Sequence, residues 1–309
     1  METKLPFVSI IVPVYNGATT IVHCVESLLA QDYPQDCFEI IVVDNASKDR
    51  TVELLQPYAQ SGKIKLLSET QVLNAYGARN TGARAAKGEI FAFTDADCQA
   101  EKNWLKELVE EFADATIGCV AGEVLPTMAR NTIEKYWGQE FLSQRGREGK
   151  SSLRVLGANC AYRQQVFRAV GFFRQDIPSG GDTELAYRMV RSSNYGVRLN
   201  LNAVVRHRNV STLSSMLKQY IRYGTATYLD AEMRLNTVPP SFARALSTAF
   251  IYSASFAKHA VLVFAKRVPA SVPTNDQDIY LWRPCFHILN VWATYLGFKL
   301  ASRRPELYR

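Results

Sequence analysis

The sequence predicts an α/β fold: a mainly parallel sheet with helices on both faces, followed by a helical C-terminal extension. Three observations carry this. Apolar, β-branched runs of strand length alternate with amphipathic stretches of helix length through the first half of the chain. The runs are apolar at consecutive positions, as strands covered on both faces require. Two of them end abruptly in aspartate, "FEIIVVD" at Asp44 and "EIFAFTD" at Asp95. Polar groups thus gather at strand carboxyl ends, where open α/β sheets bind their ligands.

The elements follow in order. Strands are predicted over 7–14, 38–44, 63–67, 89–94 and 118–124. Between them lie helices over 19–30, with Ile21, Val22, Val25, Leu28 and Leu29 on one face, then near 51–58 with Ser47 as cap, over 74–86 and over 101–113. After residue 150 the pieces shorten. "LRVLGANCAYRQQVF" reads as a strand, a glycine turn and a helix, and "GGDTELAYRMVRSS" as a Gly-Gly turn into a helix with Leu185, Met189 and Val190 on its apolar side. "VRLNLNAVVRHRN" reads as a strand-like pair and "LSSMLKQYIRYGTATYLDAEM" as a helix. Pro239-Pro240 marks a linker, dividing a domain over 1–238 from an extension over 239–309.

Of 309 residues, 47% are hydrophobic and 21% charged, which supports a substantial core and excludes a disordered chain. The net charge of +7 is uneven: residues 242–309 hold nine Lys/Arg against three Asp/Glu, and the rest is nearly neutral. A basic tail of this kind points to an anionic partner. Six scattered cysteines without a Cys-x-x-Cys pair argue against a zinc site and against a disulfide-stapled secreted domain and suggest a reducing compartment. The start, "METKLPFVSIIVPV", lacks the basic region and cleavage site of a signal peptide.

Strand alternation places Asp95 and Asp97 of "TDADC" on one face. They form either a solvated strand end or a pair whose repulsion a divalent cation offsets. "VPVYNG" brings Pro13, Tyr15 and Asn16 to the same rim. No Gly-x-Gly-x-x-Gly follows the first strand, which disfavours a dinucleotide-dependent oxidoreductase, and "GARNTG" continues Ala-Arg, so it is no P-loop. Arg79, at the start of a helix, either reaches a diphosphate or pairs with Glu69 or Glu89. Asp182 reads as a helix N-cap. His207 closes an apolar strand, as a polar strand end or a ligand. Tyr220 and Tyr223 read as helix packing or, for Tyr223, as a platform for a sugar.

Taken together, "VSIIVPVYNG", "IIVVDNASKDRT" and "GARNTGARAAKGEIFAFTDAD" resemble the family-2 glycosyltransferases of GT-A fold, in order and spacing over residues 7–97. The resemblance implies a nucleotide-sugar-binding half over 1–125 and an acceptor-binding half over 126–238. It implies that Pro13, Tyr15, Asn16 and Asp44 hold base and ribose and that Arg79 and Asp95 lie along the nucleotide. Asp95 and Asp97, with His207 as a third ligand, would bind Mn²⁺ or Mg²⁺. A weaker resemblance over 157–224 implies Asp182 as catalytic base, with Glu184 as fallback. Gln219, Arg222 and Tyr223 are similar to an acceptor-side Gln-x-x-Arg-Trp motif, with Tyr223 in place of Trp. Two positions depart from the family: Gly17 stands where many members have an acidic residue, and Gly181 where they have Glu.

The implied activity is inverting transfer of a sugar from a nucleoside diphosphate, with uridine diphosphate the family's usual carrier, to a hydroxyl of a glycan or lipid-linked acceptor. A non-catalytic nucleotide-sugar or glycan-binding module is the alternative. A sugar nucleotidyltransferase is disfavoured because "VPVYNG" is not a Gly/Arg/Lys-rich loop. The extension, with Trp282, Trp292 and Tyr295 among basic residues, reads as membrane-interfacial, its apolar stretches being too short to span. Packing on the catalytic domain or a homodimer is the plainer reading, and nucleic acid is disfavoured by so apolar a tail. The expected location is cytoplasmic, at the inner face of the membrane.

Overall fold

The computed structural model describes residues 5–141, 155–177, 179–232, 241–264 and 277–303. In chain order the elements are β1 (Val8–Val14), α1 (Ile21–Leu29), β2 (Phe38–Asp44), α2 (Thr51–Gln60), β3 (Lys65–Ser68), α3 (Ala75–Ala85), β4 (Ile90–Thr94), β5 (Cys98–Ala100), α4 (Trp104–Glu110) and β6 (Ile117–Pro126). There follow α5 (Thr132–Phe141), β7 (Asn159–Arg163), α6 (Gln164–Val170), α7 (Gly181–Ser192), β8 (Gly196–His207), α8 (Leu213–Glu232), α9 (Phe242–Phe264) and α10 (Gln277–Arg303). The chain divides into two compact units. One comprises Met1–Thr127, Leu142–Gln175 and Gly181–Arg208; the other comprises Met128–Phe141, Asp176–Gly180 and Asn209–Arg309.

The first unit holds one eight-stranded sheet of order β3-β2-β1-β4-β7-β6-β8-β5. Its strands β3, β2, β1 and β4 are parallel, as the unbroken apolar runs of β1, β2 and β4 imply. β7 then inserts antiparallel to both β4 and β6, β8 runs parallel to β6, and β5 closes the edge antiparallel to β8. The register Val14↔Asp44↔Ser68 aligns the carboxyl ends of β1, β2 and β3 into a rim. Ile10, Ile11, Ile41, Val43 and Phe93 are fully buried beneath it. Each such side chain stabilises the fold by about 1.5–3 kcal/mol. Pro13 is tolerated in this central strand because the β1–β4 ladder has already ended at Ile11↔Phe93.

Several expectations are corrected. The "NCAYR" segment is a strand, not part of a helix, and "VRLNLNAVVRH" is one bulged strand, not two. Ser47 does not cap α2; its hydroxyl accepts from Asn16 N, and Asp49 accepts from Thr51 N at the start of that helix. On α7, Leu185 and Met189 are buried, but Val190 faces out.

The second unit is helical. Trp137 of α5 is buried and meets the rings of Tyr220 and Tyr223 on α8 at 5.4 and 6.1 Å, while Tyr136 meets Phe286 of α10 at 4.9 Å. α10 continues through Pro284. Among the described residues no helix is long and apolar enough to cross a membrane. The expected Pro239-Pro240 linker lies outside the described residues.

Candidate active site

β2 delivers Asp44 to the rim, where one carboxylate oxygen accepts from Ser47 N at 3.2 Å. The other, Oδ1, is buried with no hydrogen-bond partner among the described residues, an acceptor that a bound donor group would satisfy. Tyr15 and Asn16 follow β1. Tyr15 is exposed, and Asn16 adopts a positive φ of 51° while its Oδ1 accepts from Lys48 N at 2.8 Å. This ties the "YNG" turn to the "NASKD" loop. Gly17 has no room for a larger side chain: a Cβ there would lie 2.6 Å from Val14 Cγ2.

Arg79 sits in the second turn of α3, whose N-cap Asn74 accepts from Gly77 N at 2.9 Å. Its guanidinium, almost wholly buried, joins two of the predicted site carboxylates: Nη2 lies 2.6 Å from Asp95 Oδ1 and Nη1 lies 3.1 Å from Asp182 Oδ1. Arg79 therefore pairs with neither Glu69 nor Glu89. Burial alone would loosen its proton, but Asp182 and Asp95 more than reverse this and hold the guanidinium charged.

Three residues that sequence reasoning did not single out support this bridge. Gly157 leaves space for it, since a Cβ there would sit 2.6 Å from Asp182 Oδ1 and inside the Arg79 guanidinium. Tyr76 lies under Arg79, ring centroid 5.7 Å from Cζ, and its hydroxyl accepts from Gly181 N at 2.8 Å. The same ring accounts for the departure at 181, because a Cβ on Gly181 would meet Tyr76 Cζ at 2.8 Å. Tyr162 OH donates to the Asp182 carbonyl at 3.3 Å. α7 begins at Gly181, so Asp182 lies within its first turn and is not the N-cap. Glu184, the fallback base, is buried and paired with Arg188 at 2.9 Å.

β4 ends at Thr94, so Asp95 and Asp97 flank a tight turn, closed by Cys98 N donating to Asp95 O at 3.0 Å, and do not continue an alternating strand. The two carboxylates diverge. Asp95 goes to Arg79, whereas Asp97 Oδ1 lies 3.4 Å from His207 Nε2 at the end of β8. Arg208 N donates to Asp97 O at 3.0 Å, which pins the turn to the end of β8. Although 41% of the Asp97 side chain reaches solvent, withdrawal from water raises its carboxyl above the ordinary value, Asp95 adds to the rise and His207 opposes it. The ligand atoms of Asp97, Cys98 and His207 all lie within 4.8 Å of one another. An ionised oxygen donor with an imidazole beside it fits a divalent cation.

Gln219, Arg222 and Tyr223 lie on α8 in the second unit. Arg222 donates to Gln219, Tyr220 is fully buried, and Tyr223 stacks on Trp137 with part of its ring exposed.

The family described as Glycosyl transferase family 2 matches residues 9–171, a segment that includes Pro13, Asp44, Arg79, Asp95, Asp97 and Gly157. The chain belongs to glycosyltransferase family 2. Among its relatives, glycosyltransferase AglE of Haloferax volcanii is 34% identical over 192 residues, which is 61% of this chain and 62% of that protein, under two thirds of its length. A Methanococcus voltae dolichyl N-acetyl-α-D-glucosaminyl phosphate 3-β-D-2,3-diacetamido-2,3-dideoxy-β-D-glucuronosyltransferase is 25% identical over 71% of this chain and 72% of its own length. Among solved structures, a Pyrobaculum calidifontis mannosyltransferase in complex with GDP-Man and Mn²⁺ aligns with a TM-score of 0.63 at 23% identity, covering 99% of this chain and 88% of that one. Staphylococcus aureus TarS 1–349 aligns with a TM-score of 0.53 at 19% identity over 98% and 93%. These likenesses establish the GT-A glycosyltransferase fold for the family-2 chain.

Proposed function

We propose that this family-2 protein is an inverting, divalent-cation-dependent glycosyltransferase that moves a sugar from a nucleoside diphosphate to a hydroxyl of a glycan or lipid-linked acceptor. One observation carries the reading: a single buried guanidinium joins Asp95, on the carboxylate turn after β4, to Asp182, in the first turn of α7. A diphosphate beside Arg79 would then lie between the cation-side carboxylates and the base.

The orphan oxygen of Asp44 accepts from the base or ribose, with Tyr15 exposed on the same rim to cover the ring. Uridine is the proposed base. Asp97 and His207, 3.4 Å apart, would hold the cation, which when bound would supply positive charge beside the diphosphate. Asp182 accepts the acceptor's hydroxyl proton as that oxygen bonds to the anomeric carbon and the carbon–oxygen bond to the diphosphate breaks. Arg79 fixes the direction of the Asp182 carboxylate throughout, so no reorientation is needed at the moment of transfer.

Gln219, Arg222 and Tyr223 are proposed to meet the acceptor. Residues 242–309 are proposed to rest on an anionic membrane surface on the cytoplasmic side. Incubation with Mn²⁺ and a panel of nucleotide-sugars, reading free nucleoside diphosphate with and without acceptor, tests the activity. Saturable donor binding with no diphosphate released under any acceptor would instead mark a binding module.

A further inference from the structure

Cys98 and His207 are directly opposite one another in the antiparallel β5–β8 ladder. Residues so paired project from the same face of the sheet, with Cβ atoms about 4.5–5.5 Å apart. Asp97 precedes Cys98 and reaches back to His207 Nε2 at 3.4 Å. A thiol, an imidazole and a carboxylate thus converge, with ligand atoms within 4.8 Å of one another. His207 Nδ1 is a buried nitrogen with no hydrogen-bond partner among the described residues. The thiol is 1% exposed, so it is shielded from bulk oxidants and alkylators.

We propose that Asp97, Cys98 and His207 form a mixed oxygen, sulfur and nitrogen site for a borderline or soft divalent cation of the zinc class. A hard cation needs oxygen ligands and has no use for Cys98, whereas zinc and cadmium take sulfur, imidazole and carboxylate together. Binding replaces the S–H bond of Cys98 with a sulfur–metal bond and releases the proton to solvent; no oxidant takes part. Zinc-class ions therefore share Asp97 and His207 with a catalytic hard cation and exclude it.

Cadmium is the probe, because cadmium–thiolate bonds give an ultraviolet charge-transfer band. The full chain, stripped with chelator and titrated with Cd²⁺ without nucleotide-sugar, should develop that band. Cys98→Ser should abolish it and weaken Cd²⁺ binding at least about tenfold, while Cys37→Ser and Cys285→Ser leave it unchanged. No band in the wild type, or a band that survives in Cys98→Ser, overturns the site. X-ray absorption of the zinc-loaded wild type decides the matter without a variant: one sulfur at about 2.3 Å with nitrogen and oxygen is expected, and a shell of nitrogen and oxygen alone refutes it. Both readings are of binding, so their failure leaves the proposed transfer reaction standing, and the absence of transfer leaves this site standing.

Discussion

Arg79 and Asp182 meet at 3.1 Å although 103 residues separate them in the chain. Arg79 comes from the helix after β3, Asp182 from the helix after the inserted strand β7 and α6, and Gly157 keeps the space between them open. The same guanidinium holds Asp95, so two carboxylates that would repel are kept close by one cation withdrawn from water.

Asp182→Asn preserves the volume and an oxygen for Arg79 but removes the proton acceptor. Donor binding should be near wild type, while kcat for transfer falls about 10²–10⁴-fold. Near-wild-type kcat would remove Asp182 from the role of base.

Arg79→Lys keeps one charge but cannot fork to two carboxylates, so Asp95 and Asp182 lose their common partner. Breaking a buried pair in this way costs about 3–5 kcal/mol when one side is deleted, so Arg79→Ala should unfold at markedly lower temperature and Arg79→Lys at an intermediate one. Gly157→Ala acts on the same bridge from the other side. It forces the guanidinium aside, costs about 1–3 kcal/mol by overpacking, and should lower kcat while leaving the apolar core untouched. Thermal melts and steady-state kinetics on the three variants check this. Equal melting of Arg79→Ala and wild type would show that the bridge contributes nothing.

The rim was legible in the sequence because apolar strands ending in Asp44 and Asp95 are a local pattern, as is the spacing of "VPVYNG". The bridge was not. Nothing near Arg79 in sequence announces a partner after residue 180, and the nearer carboxylates, Glu69 and Glu89, were the natural candidates. Glu69 instead accepts from the Thr81 hydroxyl and the backbone of Val72. Tyr76 reads as an ordinary helical aromatic until its hydroxyl is seen on Gly181 N. β7 was missed because Ala-rich "ANCAYRQQ" suits a helix locally, while pairing with β4 and β6 on both edges imposes a strand. Cys98 was invisible as a ligand because its neighbour His207 lies across the sheet, not along the chain.

Asp97 carries a pH signature of its own. Its folded carboxyl is raised, so ionising it is harder in the folded than in the unfolded chain. That penalty is absent below the unfolded value of about 4 and fully present once pH has risen through the folded value. In chelator at pH 7, Asp97→Asn should therefore melt above wild type, and the gap should shrink as pH falls through the raised folded value and vanish below about 4. Mn²⁺ should reverse the order by stabilising only the wild type. A variant that melts below wild type in chelator at pH 7, or gains as much from Mn²⁺, contradicts the role given to Asp97.

The last prediction concerns α9. Phe242, Leu246 and Phe250 follow one another at four-residue spacing and are all exposed, with Ile251 beside Phe250, so this helix presents a large apolar stripe to solvent. Its charges are Arg244 and Lys258, with no acidic residue along the helix. An apolar stripe with only basic residues around it matches an anionic interface, where aromatic and aliphatic groups enter the acyl boundary and the cations meet headgroups. Each basic residue near such a surface contributes about 1 kcal/mol, so binding should be reversible and weakened by salt. The full chain should sediment with vesicles containing phosphatidylserine and remain in solution with neutral phosphatidylcholine vesicles. Phe250→Glu together with Ile251→Glu places two carboxylates where the stripe is most exposed; this variant should lose sedimentation while its melting temperature stays within a few degrees of wild type. Undiminished sedimentation of the double variant would assign vesicle binding to some other surface, and absence of sedimentation by the wild type would leave the α9 stripe to a protein partner.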